Sequence, residues 1–409
     1  MIECDVLVVG AGPAGCAAAR ATARGGAKTI LIEEHKKVGV PVHCAEGIGR
    51  YLLPFLPFRV PKSQLKWGIS GMTFWAEDIL IKRDSGIWSG YSINRTEWDQ
   101  WLASLAINAG ANLKTDTKLL DVNFKKDHVI TSVSIRTKNK ISHIKPKILI
   151  AADGVESTVV EKLGVKQSDS ASTGAVKSYE MQNLNLMYAN HEQLYFGDFA
   201  PLGYGYIFPL SKKRANIGVG AVDSKNKLDD FFEEFTEIPL VKKQIEGGAC
   251  VVEKSGDAPI RPQTKKWNYG NVLLVGDSAT QNFKPFVEGI LPATICGDIA
   301  GIVSCKHLYN NMALSHYRGY VFKKLGSLFN MSDQITDILY TSRNNKDKNL
   351  LSLGLSSGIL RLKSPYSLNK DKGSIKEEIL GWDHSNYKKL KTQLSELAYL
   401  SYLSLKAKL

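Results

Sequence analysis

The hydrophobic and polar positions fall into two textures. Residues 4–9, CDVLVV, are an unbroken apolar run of the kind that fills a strand covered on both faces. A glycine-rich turn follows, then an alanine-rich run from Pro13 to about Gly25 that predicts a tightly packed helix. KTILIEE at 28–34 predicts a second strand, so strand, turn, helix and strand follow one another within about 30 residues, as in a βαβ unit. Residues 92–113 predict a strand leading into a helix, with Trp98, Leu102, Leu105 and Ala106 recurring at spacings of three and four. Two hairpin-like strands, 119–123 and 129–136, precede a buried strand at 147–154, KILIAADG. From about Ser168 to Pro262 the texture changes to alternating strands and turns such as GYGYIFPL and RANIGVGAV. NVLLVGDSA, 271–279, returns to the buried-strand pattern and leads into an apolar helix, and beyond about Tyr317 the chain reads as helical and basic.

The expected fold class is α/β: a Rossmann-type dinucleotide-binding domain, an inserted antiparallel β-sheet domain for substrate, and a helical C-terminal region. The expected boundaries are 1–167 for the first part of the binding domain, 168–262 for the insert, 263–316 for its return, and 317–409 for the helical region.

Composition narrows the classes. With 409 residues, 44% hydrophobic and 23% charged, the chain can bury a sizeable core, which excludes disordered, collagen-like and disulfide-stapled classes. The excess of 53 basic over 40 acidic residues, +13, points to an anionic partner such as lipid headgroups, an acidic electron carrier or a polyphosphate cofactor. The six cysteines are scattered without a CxxC pair, so no disulfide framework and no metal site is expected, and a cytoplasmic setting fits. No run of about 18 apolar residues predicts a membrane span. The tail 390–409 carries Leu390, Leu394, Leu397 and Leu405 near one side, so it either packs on the body or lies on the inner membrane surface.

GAGPAG sets Gly10, Gly12 and Gly15 between the first strand and the first helix. In the dinucleotide reading Gly10 allows the tight turn, Gly12 lets backbone approach a pyrophosphate, and Gly15 lets the helix pack on the strand. The anion, near Ala14, then sits on the helix N-terminus. Glu33 ends the second strand, where a carboxylate accepts from ribose hydroxyls. Two later strand ends carry Asp153-Gly154 and Gly276-Asp277, placed either to accept from a ribityl chain or to cap the helix that follows.

These three segments, in this order, resemble the glutathione-reductase-type flavoproteins in their para-hydroxybenzoate-hydroxylase-like branch, which implies FAD. Within that branch VGVPVHCAEGIG (38–49) resembles the P-V-x-C-G-E-G loop of geranylgeranyl reductases, through Pro41, Val42, Cys44, Glu46 and Gly47. PLGYGYIFP (201–209) is similar to that family's Y-x-W-x-F-P cavity motif, matched by Tyr204, Phe208 and Pro209. The segment 92–111 resembles D-R-x-x-F-D-x-x-L-A, whose arginine contacts the flavin, and Arg95 holds its place. Three departures stand out: Ala45 replaces a glycine, Tyr206 replaces a tryptophan, and the flavin loop KPFVEGIL keeps Pro285, Glu288, Gly289 and Ile290 but lacks its first glycine. The similarity covers roughly residues 1–310.

The resemblance implies a reductase saturating C=C bonds of geranylgeranyl chains in ether-lipid precursors, with a prenylated lipid as substrate. An isolated alkene has no carbonyl to polarise, so the protein must supply positioning and a proton source. Thiols are mostly protonated at neutral pH, so Cys44 is expected as proton donor or gate, the alternative being a small packing residue. Glu46 is expected either to orient water or the thiol, or to be a solvated loop carboxylate. Tyr204, Tyr206 and Phe208 alternate and share one strand face, lining a prenyl tunnel or forming ordinary sheet core. With no second GxGxxG, electrons are expected from a ferredoxin-like carrier or from reduced nicotinamide. A flavin monooxygenase and a non-catalytic lipid-binding or electron-transfer flavoprotein remain alternatives. Nucleic acid is not an expected partner, because the lysines are dispersed.

Overall fold

The computed structural model describes residues 1–343, apart from 77–78, 166–172, 202, 223–224, 261–263, 265 and 285, and residues 379–380. The apolar run at the start becomes strand β1, Ile2–Val9, with Val6, Leu7 and Val8 wholly buried. Helix α1 (Pro13–Arg24) and strand β2 (Thr29–Ile32) complete the βαβ unit. The chain then makes a hairpin, β3 (Gly71–Ala76) and β4 (Ile79–Asp84), before helix α2 (Arg95–Asn108). Strands β5 (Asn112–Lys114), β6 (Thr117–Phe124), β7 (Ile130–Thr137) and β8 (Lys140–Ala151) lead to a short helix α3 (Thr158–Leu163). The insert contributes β9 (Thr173–Gln182), β10 (His191–Phe196), β11 (Tyr204–Ser211), β12 (Arg214–Val222), helix α4 (Leu228–Glu237) and β13 (Ala249–Pro259). Strands β14 (Asn268–Tyr269) and β15 (Val272–Leu274), helices α5 (Ile290–Asn310) and α6 (His316–Arg343), and the two-residue β16 (Ile379–Leu380) follow.

The first sheet runs β14-β15-β8-β1-β2-β5, with β6 and β7 added antiparallel beside β8. Its parallel core aligns Val9 with both Ile32 and Ala151, and Ala151 with Leu274, so β1, β2, β8 and β15 end level. Ligands of open α/β sheets bind beyond these carboxyl ends. The segments after them hold Gly10, Glu33, Asp153 and Asp277. Strand β8 starts seven positions before the expected buried stretch, because Lys140–Ile144 pair with β7 and Ile144–Pro146 already run beside β1.

Helix α1 is alanine- and glycine-rich because α5 crosses it almost backbone to backbone. A Cβ at Gly297 would lie 2.1 Å from the Ala14 carbonyl oxygen, and one at Gly301 would lie 2.6 Å from that of Ala18. Arg20 and Asp298 bridge the two helices at 3.4 Å, and the guanidinium stacks over Phe58 at 5.1 Å.

The second sheet runs β13-β9-β12-β11-β10-β3-β4-β16, and α4 packs on it through Phe231 and Phe235. The inserted sheet is antiparallel as expected through β10, but β10 meets β3 in parallel. That pairing arises because β3 and β4 come from an early excursion of the first domain, where the sequence analysis placed no strand. A three-stranded sheet of Gly47–Gly49, Trp67–Ile69 and Gly90–Ser92 lies in the same excursion. The domain boundaries at 167 and 262 and the amphipathic tail 390–409 fall outside the described residues. Among the described residues no helix is long and apolar enough to cross a membrane.

Gly297→Ala is expected to destabilise the protein by about 2 kcal/mol, since the new methyl meets backbone. In an unhindered helix the same change would gain roughly 1 kcal/mol. A urea titration with an unchanged or higher midpoint would refute the close α1–α5 contact.

Candidate active site

The cofactor edge begins with backbone geometry. Gly10 has φ +92, and a Cβ there would meet the Ala152 carbonyl oxygen at 2.4 Å; one at Gly15 would meet Gly10 oxygen at 1.8 Å. Gly12 is the extended N-cap of α1, with no side chain capping the helix and nothing within 4 Å of its Cβ position. A bare helix start with open backbone, next to buried Ala14, suits a pyrophosphate. Glu33 accepts from the Ala11 amide at 2.8 Å through Oε2 and from the His35 amide at 3.0 Å through Oε1. A carboxylate has about four acceptor positions, so the group is oriented yet retains capacity for a ribose hydroxyl. The donor set therefore fits a dinucleotide.

The aspartates divide. Asp153 accepts from Ser157 Oγ at 2.6 Å and from the Val159 amide at 3.2 Å. Both oxygens thus hold the start of α3, which is the capping alternative; burial pushes this carboxyl up. Gly154 beside it, at φ +78, leaves its Cβ position open. Burial also raises Asp277, while Lys284 and Arg95 pull the other way. Arg95 is held by Asp99 through two bonds, of 3.1 and 2.8 Å, and burial opposed by Asp99 and the Cys44 sulfur leaves its guanidinium firmly charged. Arg95 thus joins the Cys44 loop to the Asp277 edge.

A cavity of about 270 Å³ lies beside this edge. Tyr204, Tyr206 and Phe208 of β11 line one wall, their rings 6.2 and 5.0 Å apart in sequence order. Cys44, Gly289 and Ile290 also line it. The structure therefore brings together the predicted cavity residues, the loop thiol and the flavin-loop residues, while Gly10, Gly12, Gly15, Glu33 and Asp153 stand apart along the sheet edge.

The Glu46 carboxylate is buried, so the solvated alternative does not hold. The residue is 4% exposed and takes φ +70. Its Oε1 accepts from the Arg95 amide at 2.8 Å; its Oε2 accepts from Asn216 Nδ2 at 3.0 Å and Lys254 Nζ at 2.8 Å. Lys254, itself buried, also reaches Glu180 Oε2 at 3.2 Å and Asn216 Oδ1 at 2.9 Å. Glu180 pairs in turn with Arg214. Asn216 Nδ2 donates to the Ala45 carbonyl at 3.0 Å, and His43 Nδ1 bonds the Ser255 carbonyl. The Cys44 loop is stapled to β12 and β13, so Glu46 is a positioning residue. Cys44 Sγ accepts from the Glu46 amide at 3.2 Å.

The flavin loop forms a tight turn in which Phe283 and Glu288 exchange backbone bonds of 2.9 and 3.0 Å. Counting back from Gly289-Ile290, Val287 stands where the first glycine is missing, and it takes φ +56. That region is costly for a β-branched residue, so the departure replaces the glycine without removing its conformation. Glu288 Oε1 accepts from the Gly49 amide at 2.8 Å and Oε2 from the Tyr51 hydroxyl at 2.7 Å, while Tyr204 donates to the Phe286 carbonyl at 2.9 Å. Pro285 lies outside the described residues.

Sequence reasoning missed Lys254, Asn216 and Glu192. The available signal was a lone polar residue at an inward strand position, as Glu192 shares its face with Leu194 and Phe196.

The profile of the FAD-dependent oxidoreductases matches residues 5–167, and that of the geranylgeranyl reductase catalytic domain matches 173–254, ending on Lys254. A digeranylgeranylglycerophospholipid reductase of Methanocaldococcus jannaschii is 35% identical over 315 residues, 75% of this chain and 78% of that protein. The chain belongs to the digeranylgeranylglycerophospholipid reductase family. The Methanococcus aeolicus member is 34% identical over 319 residues, 77% of this chain and 80% of that one. A geranylgeranyl bacteriochlorophyll reductase-like protein from Thermoplasma acidophilum shares the fold, with TM-score 0.79 and 24% identity over 97% of this chain and 100% of that one. A myxobacterial FAD-dependent halogenase shares it at TM-score 0.65 and 16% identity, over 79% of each chain. FAD is the cofactor of this family member.

Lys254→Met leaves two buried carboxylates without their ammonium and is expected to cost about 3–5 kcal/mol in urea unfolding. Adding Glu46→Gln should recover part of that loss. Additive penalties would contradict a shared clamp.

Proposed function

We propose that this protein is an FAD-dependent reductase that saturates C=C bonds in the geranylgeranyl chains of ether-phospholipid precursors. The observation that carries the reading is a cavity walled by Tyr204, Tyr206 and Phe208 on one side and by Cys44 and Gly289 on the other. An apolar chain entering it meets the residues of the flavin loop. A second cavity, of about 750 Å³, shares Tyr51, Ile87 and Ser89 with the first and gives the rest of a long chain somewhere to run.

Gly10, Gly12, Ala14 and Gly15 would hold the pyrophosphate and Glu33 the ribose. Arg95, Asp277, Gly154, Gly289 and Ile290 would border the flavin, with Asp153 fixing the Gly154 turn. Reduced FAD supplies hydride when bound. The aromatic wall orients the chain and excludes water; Cys44, seated by the Glu46 amide and Arg95, sits at the edge between the two. Electrons come from outside the chain, from an acidic carrier protein or from reduced nicotinamide, either of which the +13 balance would attract. The same charge would favour peripheral contact with an anionic inner membrane face, where the substrate resides.

Purified protein, reduced without oxygen and given digeranylgeranylglyceryl phosphate, is expected to add 2 Da per reduced double bond, read by mass spectrometry. Substrate-dependent oxygen uptake without that gain would mean a monooxygenase instead. Tyr206→Ala is expected to raise KM for the lipid about tenfold or more, from lost apolar burial, with the flavin spectrum unchanged.

A further inference from the structure

Glu192 takes no part in the Lys254 clamp, yet it lines the same cavity as Cys44 and Tyr206. It lies on β10 opposite Met72 of β3, also a cavity residue, with Arg83 of β4 the next position across the sheet. A Cβ at Gly47 would lie 2.3 Å from Glu192 Oε1 and 3.5 Å from the Phe208 ring, so the Cys44 loop passes directly over the carboxyl group.

Asp257 also lines the cavity, and several of the other polar groups around it are committed. Glu46 and Lys254 hold each other, Glu288 accepts from Gly49 and Tyr51, and Tyr204 donates to Phe286. Lys284 Nζ donates to the Thr280 and Asn282 carbonyls. His191, the neighbour on β10, points to the opposite face and pairs with Asp84 at 2.6 Å. Among the described residues no cation pairs with Glu192. Burial, followed by the nearby Glu288 carboxylate, pushes its carboxyl up to about 8. An acid in that range is largely protonated at neutral pH and regains its proton readily, as a general acid requires.

We propose that Glu192 is the acid that completes alkene reduction: as one carbon of the double bond receives hydride from reduced FAD, Glu192 gives its carboxyl proton to the other. The π electron pair becomes the bond to that proton, the cofactor is left oxidised, and the Glu192 carboxylate recovers a proton from water. This rests on the prenyl-reductase reading and assigns to Glu192 the donor role first considered for Cys44, whose sulfur already accepts from the Glu46 amide.

The test is Glu192→Gln in the full FAD-loaded chain. The amide is neutral at every pH, so folding and the flavin spectrum are expected to stay as in the wild type. Reoxidation of the reduced flavin by digeranylgeranylglyceryl phosphate should slow by about 10²- to 10⁴-fold. The fall in wild-type rate centred near pH 8 should vanish with it. Independently of turnover, infrared spectra of the wild type should show a protonated-carboxyl stretch at neutral pH that titrates near pH 8 and is missing in the variant. A variant that keeps the wild-type rate and pH profile, or a wild-type Glu192 already ionised at pH 7, overturns the role of Glu192 alone. Wild-type protein that the lipid does not reoxidise overturns the reductase reading, and this role with it.

Discussion

A buried ammonium group between two buried carboxylates is the constraint on which the site depends. Lys254 bridges Glu46 and Glu180, and all three are less than 10% exposed. Removing such charges from water costs several kcal/mol per ion, recovered only when each is paired in good geometry. Glu46 therefore has one permitted place, and its second oxygen receives the first amide of α2. One carboxylate thus fixes three things together: the loop that carries Cys44, the helix start that carries Arg95, and the strands β12 and β13. These belong to two sheets otherwise built around separate cores.

Function follows from what the clamp sets side by side. The carboxyl ends of β1, β2, β8 and β15 make a polar edge whose donors fit a dinucleotide, and Tyr204, Tyr206 and Phe208 of β11 wall the adjoining cavity, which we propose takes the apolar chain. Reducing an unactivated alkene needs both in contact and needs water kept out. Desolvation in the cavity wall also pushes the Glu192 carboxyl up, which is what the role proposed for it requires.

The parts of this site legible in the sequence are those encoded by local stereochemistry. Gly10 and Gly15 are glycines because a Cβ would strike backbone, and their spacing alone carries that information. The alternation of Tyr204, Tyr206 and Phe208 likewise places them on one face without knowledge of the rest of the fold. Asp153 shows the limit: an aspartate after a strand serves a ligand or the next helix equally well, and Ser157 four residues on decides for the helix. Glu46 reads as a loop carboxylate because its partners, Asn216 and Lys254, lie 170 and 208 residues away. The β3–β4 hairpin was silent because its place in the second sheet depends on a parallel neighbour, β10, more than a hundred residues later. At Val287 the sequence lacks a glycine while the backbone keeps a glycine's conformation, so composition and geometry disagree until both are seen.

A crystal structure of the protein soaked with FAD tests the central placement most directly. The isoalloxazine ring is expected beside both Cys44 and Gly289, open to the Tyr206 cavity, with the Glu46–Lys254 pair intact. A ring seated away from that cavity, or a clamp that opens when the cofactor binds, would contradict it.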